Sequence, residues 1–217
     1  MRNYLALLLV ATALSAGGGN ILAYPMYAFA PPPPMKTVHP EYPGMEGKHV
    51  AIVVFAGPET QLDYQQVELE MFDAVSAELR KHIKDITLVD PRRVMRYQEE
   101  NPRWRSEPPE RLCKVFTCDV VLLISLMEFA TREPGSIHLA RGRITAEASV
   151  YEPARGGEGE APGGCQWRSD IVRVVHPPQA PVGLLATDDW RLRIETERIF
   201  AAQLAKSFYK HKVPKES

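Results

Sequence analysis

The order of hydrophobic and polar positions divides the chain into strands and helices. His49–Phe55 is a short continuous apolar run, rich in β-branched residues and closed by Gly57-Pro58, which predicts a buried central strand. The spacing becomes helical over Tyr64–Ile83, where Met71, Phe72, Val75, Leu79 and Ile83 recur every three or four positions. Ile86–Val89 predicts a second strand. Asp90-Pro91 then predicts a helix start, because Asp caps free amide groups and Pro suits the first helical position.

Two short helices and two strands follow. Short helices are predicted over Pro91–Glu99 and Ser106–Phe116. Val120–Leu126 is a second continuous apolar run and predicts another buried strand. Over Ala140–Val150 every second residue is small or apolar, which predicts a strand with one side facing solvent.

The C-terminal part predicts a hairpin and a last long helix. The glycine-rich segment 155–164 predicts the turn of a hairpin that leads into a final strand over Gln166–Val175. A helix is expected over Asp188–Tyr209, because Thr187 and two aspartates supply a cap and negative charge at its start. The residues expected to be buried are Trp167, Ile171 and Val174 in the strand, and Trp190, Ile194, Ala201, Leu204 and Phe208 in the helix.

The element order is therefore β-α-β-α-α-β-β-β-α. Parallel crossover connections come first and antiparallel hairpins last. This order predicts an α/β (α+β) fold, with a mixed sheet of about five strands covered by two long helices and two short ones. We expect a single domain over residues 47–214, because domains of roughly 100–200 residues are typical.

Residues 1–19 have the layout of an export signal. Arg2 precedes the apolar run Leu5–Val10, and small residues follow over Ala13–Gly19. Tyr4–Ala16 contains only 13 residues, whereas a membrane span needs about 20. The segment is therefore expected to be either a signal peptide, cleaved near Ala16 or Ala30, or an uncleaved membrane anchor.

Residues 20–46 are expected to form an apolar, proline-rich spacer. Pro31–Pro34 favours polyproline II, which acts as a semi-rigid connector. The aromatic residues Tyr24, Tyr27 and Phe29 suit a membrane interface, and the alternative is that they pack on the surface of the domain.

Composition excludes one class of partner. The 217 residues carry a formal net charge of -1, so the protein as a whole does not attract nucleic acid or anionic lipid. We therefore expect no nucleic-acid partner.

The residue types that carry catalysis lack the necessary spacing. Cys113, Cys118 and Cys165 are too few and too irregular for a structural zinc site. A Cys113–Cys118 disulfide is possible after export. The favoured interpretation is that Cys118 is a small core residue at the start of a strand. The sequence contains neither HExxH nor GxSxG, and the Gly57–Thr60 loop offers one glycine to a phosphate. We therefore expect no catalytic residue, cofactor or metal.

Two groups of charged residues are candidates for partner contacts. The first is basic, with aromatic residues interleaved, and surrounds the predicted helix after Asp90. The second follows the buried strand at Val120–Leu126. The candidate residues are Arg92, Arg93, Arg96 and Trp104 in the first group, and Glu128, Arg132 and Arg141 in the second.

The chain resembles a family of bacterial envelope lipoproteins through several short shared motifs. The motifs are Asn20–Pro25, Pro31–Pro34, Val89–Val94, Glu128-Phe129 with Thr131–Ser136, Arg141-Gly142-Arg143, Pro181-Val182-Gly183 and Phe208–His211. The resemblance implies export and an envelope location, and it implies no particular activity. Such lipoproteins carry a lipidated cysteine, whereas this chain has Gly17-Gly18-Gly19 at that place. More remotely, the element order is similar to the α/β lipoproteins that include the curli-secretion channel subunit and activators of penicillin-binding proteins.

These observations predict an exported, membrane-associated envelope protein that is not an enzyme and acts as a binding or assembly module. Its expected partner is another envelope protein, and its N-terminal segment is expected to associate with the membrane. The alternative is a periplasmic enzyme whose site forms only in three dimensions, near the strand ends at Gly57 and Glu128. The sequence leaves the oligomeric state open.

Overall fold

The computed structural model describes residues 34–153, 164–179, 182–183 and 188–215. The export segment, most of the spacer, the hairpin turn and Thr187 lie outside this part. The described residues belong to two units, one with 34–36 and 212–215 and the other within 37–211. Within the described residues, no helix has the length and apolar character that crossing a membrane requires.

The described residues form nine strands and five α-helices. The strands are β1 (Met35–Val38), β2 (His49–Ala56), β3 (Thr87–Leu88), β4 (Val120–Arg132), β5 (Leu139–Glu152), β6 (Gly164–Arg168), β7 (Val172–His176), β8 (Val182–Gly183) and β9 (His211–Pro214). The helices are α1 (Pro58–Asp63), α2 (Val67–His82), α3 (Pro91–Glu100), α4 (Arg111–Phe116) and α5 (Asp189–Ala205), with 3-10 turns at Trp104–Ser106 and Lys206–Phe208.

The main sheet has seven strands and is mixed. Its order is β3-β2-β4-β5-β6, with β7 and β8 also paired to β5. β2 is parallel to both β3 and β4, whereas β5 is antiparallel to β4, β6 and β7. β1 and β9 form a separate two-stranded sheet. The predicted fold class and the change from parallel to antiparallel pairing are confirmed.

Helices cover both faces of the parallel part of the sheet. On one face, α2 and α5 pack over a core that includes Ile52 and Val54 of β2. On the other face, α3, α4 and the first 3-10 turn pack over Ala51 and Val53. Because both sides of β2 are buried, its sequence is a continuous apolar run rather than an alternating one.

The prediction of one continuous final strand over Gln166–Val175 is wrong. It consists of two strands, β6 and β7, which pair with different parts of β5. The residues between them include Asp170 and an Ile171 that is 61% exposed, so Ile171 is not the buried residue that the pattern predicted. The split, together with β8, explains why the sheet has more than the expected five strands.

The predicted helix over Ser106–Phe116 is shorter than expected. Only Arg111–Phe116 is α-helical, and Trp104–Ser106 forms a 3-10 turn. Pro108 and Pro109 lie between the two elements. Proline has no amide hydrogen and disfavours a helical conformation in the residue before it, so a continuous helix cannot form here.

The predicted start of the last helix is confirmed, and Ala201, Leu204 and Phe208 are buried as predicted. Asp188 caps α5 by accepting a hydrogen bond from the Trp190 amide at 3.1 Å. The Trp190 side chain is 61% exposed, contrary to the prediction. The buried residues of α5 are Leu192, Thr196, Glu197, Phe200, Ala201, Leu204 and Ala205. Two of them, Thr196 and Glu197, are polar, so apolar spacing alone does not identify them as buried.

Candidate functional site

The basic group around α3 separates into structural and exposed residues. Arg93 Nη2 donates to the Val115 carbonyl at 2.8 Å, and its guanidinium lies 6.0 Å from the Phe116 ring. Trp104 is only 8% exposed and contacts the Phe55 ring edge-on at a centroid distance of 6.2 Å. These side chains attach α3, α4 and the 3-10 turn to the sheet. Arg92, Arg93 and Arg96 are exposed, and Trp104 is the buried member of this group.

The second group of candidates forms a chain of ion pairs on β4 and β5. Glu128 accepts from Arg143 Nε at 2.7 Å and from the Thr145 hydroxyl at 3.1 Å. The hydrogen bond from Arg143 is the main reason that the pKa of Glu128 is lowered. Arg143 also donates to the Arg132 carbonyl at 2.8 Å. One guanidinium group therefore contacts β4 at two positions, Glu128 and Arg132.

Arg132 and Arg141 point to different partners. Arg132 Nη2 lies 3.2 Å from Asp189 Oδ1 at the start of α5. Arg141 Nη1 lies 3.4 Å from Glu133 Oε2, and its Nη2 donates to the Pro178 carbonyl at 3.2 Å. Glu133 also lies 4.0 Å from Arg143 Nη1, so Glu128 and Arg141 are linked through Arg143 and Glu133, whereas the Arg132 side chain is directed to Asp189.

The sheet carries charged residues where the helices do not cover it. We define the outer sheet face as the side opposite α2 and α5, beyond the area under α3 and α4. Its residues are Ser125, Glu128, Arg143, Thr145, Glu147, Arg168 and Arg173, placed by their register in β4 to β7. Glu147 pairs with Arg168 at 3.0 Å, and these two side chains remain 39% and 60% exposed.

A β-bulge interrupts β4 at the outer sheet face. The register with β5 shifts between Leu126 and Glu128, which makes Met127 the extra residue. Met127 is 61% exposed, while Leu126 is buried in the core. Bulges occur often beside functional sites, because they redirect a side chain out of the regular pattern.

Sequence reasoning missed both Arg143 and Met127. The period-two pattern of β5 was sufficient to place Arg143 on the same face as Arg141. Met127 had no such signal, because an extra residue in one strand becomes visible only when its partner strand is known.

The carboxyl end of β2 is closed by polar side chains from neighbouring helices. β3 pairs with β2 at His49 and Val50, and beyond Val50 no strand among the described residues pairs with β2 on that side. There Gln98 Nε2 donates to the Val54 carbonyl at 3.0 Å, and Glu68 Oε1 accepts from the Ala56 amide at 2.8 Å. Burial raises the pKa of Glu68, and the hydrogen bond from Ala56 opposes this shift.

A cavity of about 220 Å³ adjoins these residues and is lined by Phe55, Glu68, Gln98 and Trp104, among others. Ligands of α/β proteins commonly bind at the carboxyl ends of parallel strands. Here Glu68 and Gln98 already satisfy the backbone of β2, which identifies them as residues that protect a sheet edge.

The cysteines are free thiols. Cys113 and Cys118 are buried in the smaller core cluster, and Cys165 is exposed. Their placement agrees with the interpretation of Cys118 as a small core residue. Among the described residues there is no group of three or more His, Cys, Asp or Glu side chains that could hold a metal ion.

Several solved structures are similar to this chain. No model of a known protein family matches the chain, and no curated protein matches it by sequence. The lipoprotein GNA1162 from Neisseria meningitidis is 15% identical, with a TM-score of 0.43, over 72% of this chain and 97% of that chain. The PelC dodecamer from Paraburkholderia phytofirmans is 5% identical, with a TM-score of 0.47, over 81% of this chain and 98% of that chain.

The hypothetical protein CT253 from Chlamydia trachomatis is a third similar structure. It is 11% identical, with a TM-score of 0.41, over 72% of this chain and 95% of that chain. At these identities and TM-scores the similarities assign no function to this chain.

Proposed function

We propose that this protein is an exported envelope protein that acts as a binding module and docks a protein partner through its outer sheet face. The N-terminal segment supports export, because a positive residue, a short apolar run and small residues occur in the order of a signal. The proline-rich spacer would hold the domain at a distance from the membrane.

The main observation that supports a docking surface on this face is the bulge at Met127. A methionine on a bulge is a flexible apolar side chain that adapts to a partner surface. It lies next to the paired residues Glu128 and Arg143, and methionine and arginine are both enriched at protein interfaces. A solvated sheet face explains the charges alone, but it gives no reason for a 61% exposed methionine among them.

The arrangement of Glu128, Arg132 and Arg141 favours this function over the enzymatic alternative. A catalytic site requires its groups to converge on one reacting atom. Arg132 instead pairs with Asp189, and Arg141 pairs with Glu133 and the Pro178 carbonyl. These ion pairs give a partner a pattern of fixed charges, which determines specificity and orientation more than affinity.

A charge substitution tests the proposal. Glu147→Lys reverses one exposed charge on the outer sheet face, and Glu100→Lys makes the same change at an exposed position on α3. After crosslinking of intact cells and affinity purification, we expect Glu147→Lys to reduce recovery of the partner and Glu100→Lys to leave it unchanged. Equal recovery with both variants, or equal loss with both, would refute the proposed surface.

A further inference from the structure

Two cysteines of the smaller core cluster lie together at the C-terminal end of α4. Thr117, the residue after this helix, has left-handed backbone angles, with φ 53° and ψ 50°. Its amide donates to the Lys114 carbonyl at 3.3 Å, and the Cys118 amide donates to the Cys113 carbonyl at 2.9 Å. This pair of hydrogen bonds forms a Schellman motif, which commonly brings the side chains at the positions of Cys113 and Cys118 into contact.

The two thiol groups are hydrogen-bonded to each other. This hydrogen bond is the main reason that the pKa of Cys118 is lowered and that the pKa of Cys113 is raised. A disulfide requires two cysteines whose α-carbons lie about 4.4–6.8 Å apart and whose side chains point toward each other. The Schellman motif brings the two backbone segments together, and the hydrogen bond between the thiols shows that the side chains already point toward each other.

The surroundings of the pair suit a disulfide as well as two thiols. Cys113 and Cys118 are 2% and 8% exposed, and they pack in an apolar cluster that includes Phe116 and Val121. A disulfide carries no charge and has no polar hydrogen, so it needs no hydrogen-bond partner in this cluster. The interpretation of Cys118 as a core residue therefore holds in either redox state.

We propose that Cys113 and Cys118 form a disulfide after export, which fixes the end of α4 to the start of β4. This inference rests on the export that is part of the proposed function, because the periplasm oxidises thiols whereas the cytosol keeps them reduced. The third cysteine, Cys165, lies opposite Tyr151 in the register of β5 and β6 and is the competing partner.

The oxidant is a disulfide of an envelope thiol–disulfide oxidoreductase. The thiolate of Cys118, whose pKa is the lower of the two, attacks one donor sulfur, and the other donor sulfur leaves as a thiolate. Cys113 then gives up its proton and attacks the Cys118 sulfur, which releases the second donor sulfur. The two protons end on the donor, whose disulfide becomes a dithiol. Because both thiols are buried, this exchange occurs before α4 packs on the sheet or when it opens locally.

The disulfide would secure a short helix on which α3 depends. α4 has only six residues, far fewer than an isolated helix needs for stability. Its Val115 carbonyl accepts from Arg93 at 2.8 Å, and its Phe116 ring contacts Tyr97 edge-on at a centroid distance of 5.4 Å. We therefore expect amide hydrogen exchange over residues 111–118 to be at least tenfold slower in the oxidised chain than in the reduced chain.

Peptide mapping of the exported protein tests the pairing. The full-length chain is produced in a bacterium, the envelope fraction is unfolded in urea with N-ethylmaleimide, and it is digested with trypsin without reduction. Cleavage after Lys114 separates the two cysteines. We expect a disulfide-linked pair of peptides, Leu112–Lys114 with Val115–Arg132, and a maleimide on Cys165. Three maleimide-blocked cysteines, or a linked peptide that contains Cys165, would overturn the inference.

A second experiment separates the pairing from export. The purified full-length chain is reduced in mild detergent and then incubated with excess oxidised glutathione. The linked peptides should form in the wild type and in the matched control Cys165→Ser, and they should be lost in Cys118→Ala. Their absence from the wild type, or equal hydrogen exchange of the oxidised and reduced chains over residues 111–118, would overturn the inference. Recovery of the chain from the cytosol alone would instead contradict the proposed function, and the glutathione experiment then decides whether the two cysteines pair.

Discussion

Replacement of Glu197 by glutamine should stabilise the protein, and the gain should grow with pH. The folded chain raises the pKa of this carboxyl group to about 8, from an ordinary value of 4.5. Between these values the unfolded chain has released the proton while the folded chain still holds it. Stability rises with pH only where the unfolded state binds more protons, so here it falls as pH increases.

The magnitude follows from the shift in pKa. One pKa unit corresponds to about 1.4 kcal/mol, so at pH 7 the buried carboxyl group costs about 3 kcal/mol, and at pH 5 less than about 1 kcal/mol. Glutamine has nearly the same shape, retains a donor toward Glu70 and does not titrate. The stability difference between Glu197→Gln and wild type should therefore widen by about 2–3 kcal/mol from pH 5 to pH 7.

Urea unfolding followed by circular dichroism at pH 5, 6, 7 and 8 measures this difference. The wild type and Glu197→Gln are compared at each pH, so contributions from other titrating groups cancel. Glu100→Gln is the matched control, since Glu100 is exposed, and its difference from wild type should not vary with pH. A stability difference for Glu197→Gln that is constant from pH 5 to pH 8 would refute the reasoning.

Two further predictions concern packing and the thiols. Gly142→Ala should destabilise the fold by roughly 1–3 kcal/mol, because the added Cβ would clash with the Thr196 side chain; thermal unfolding should show partial recovery in the double variant with Thr196→Ala. In the reduced native protein a thiol reagent should label Cys165, which is exposed, while Cys113 and Cys118 react only after unfolding. Labelling of all three at one rate, or full stability of Gly142→Ala, would contradict these packing assignments.

The parts of the fold that the sequence predicted are those that depend on local order. Asp90 caps α3 by accepting from the Arg92 amide at 2.9 Å, as the Asp-Pro pair indicates. The alternation over Ala140–Val150 correctly places the small and apolar side chains of β5 in the core. In both cases the signal comes from residues close in sequence.

The features that the sequence did not predict depend on distant partners. Glu197 is buried because α5 packs on α2, where Glu70 pairs with Arg193 across the two helices. Met127 is exposed because β4 contains one residue more than β5 at that point. Arg143 connects Glu128 to the Arg132 carbonyl across a hairpin. None of these contacts produces a periodic pattern or a motif in the sequence. The candidate surface is therefore recognised only in the folded chain.

Site-specific photocrosslinking in intact cells tests the docking surface most directly. A photoreactive residue is placed at Met127, the bulge residue beside Glu128 of the outer sheet face, which is 61% exposed, and at Ile199 on α5, which is 40% exposed. Both positions carry exposed apolar side chains, so they differ mainly in the face that they occupy. The proposed function predicts a discrete adduct with an envelope protein from Met127 and none from Ile199. Adducts from Ile199 alone, or the same adducts from both positions, would contradict it.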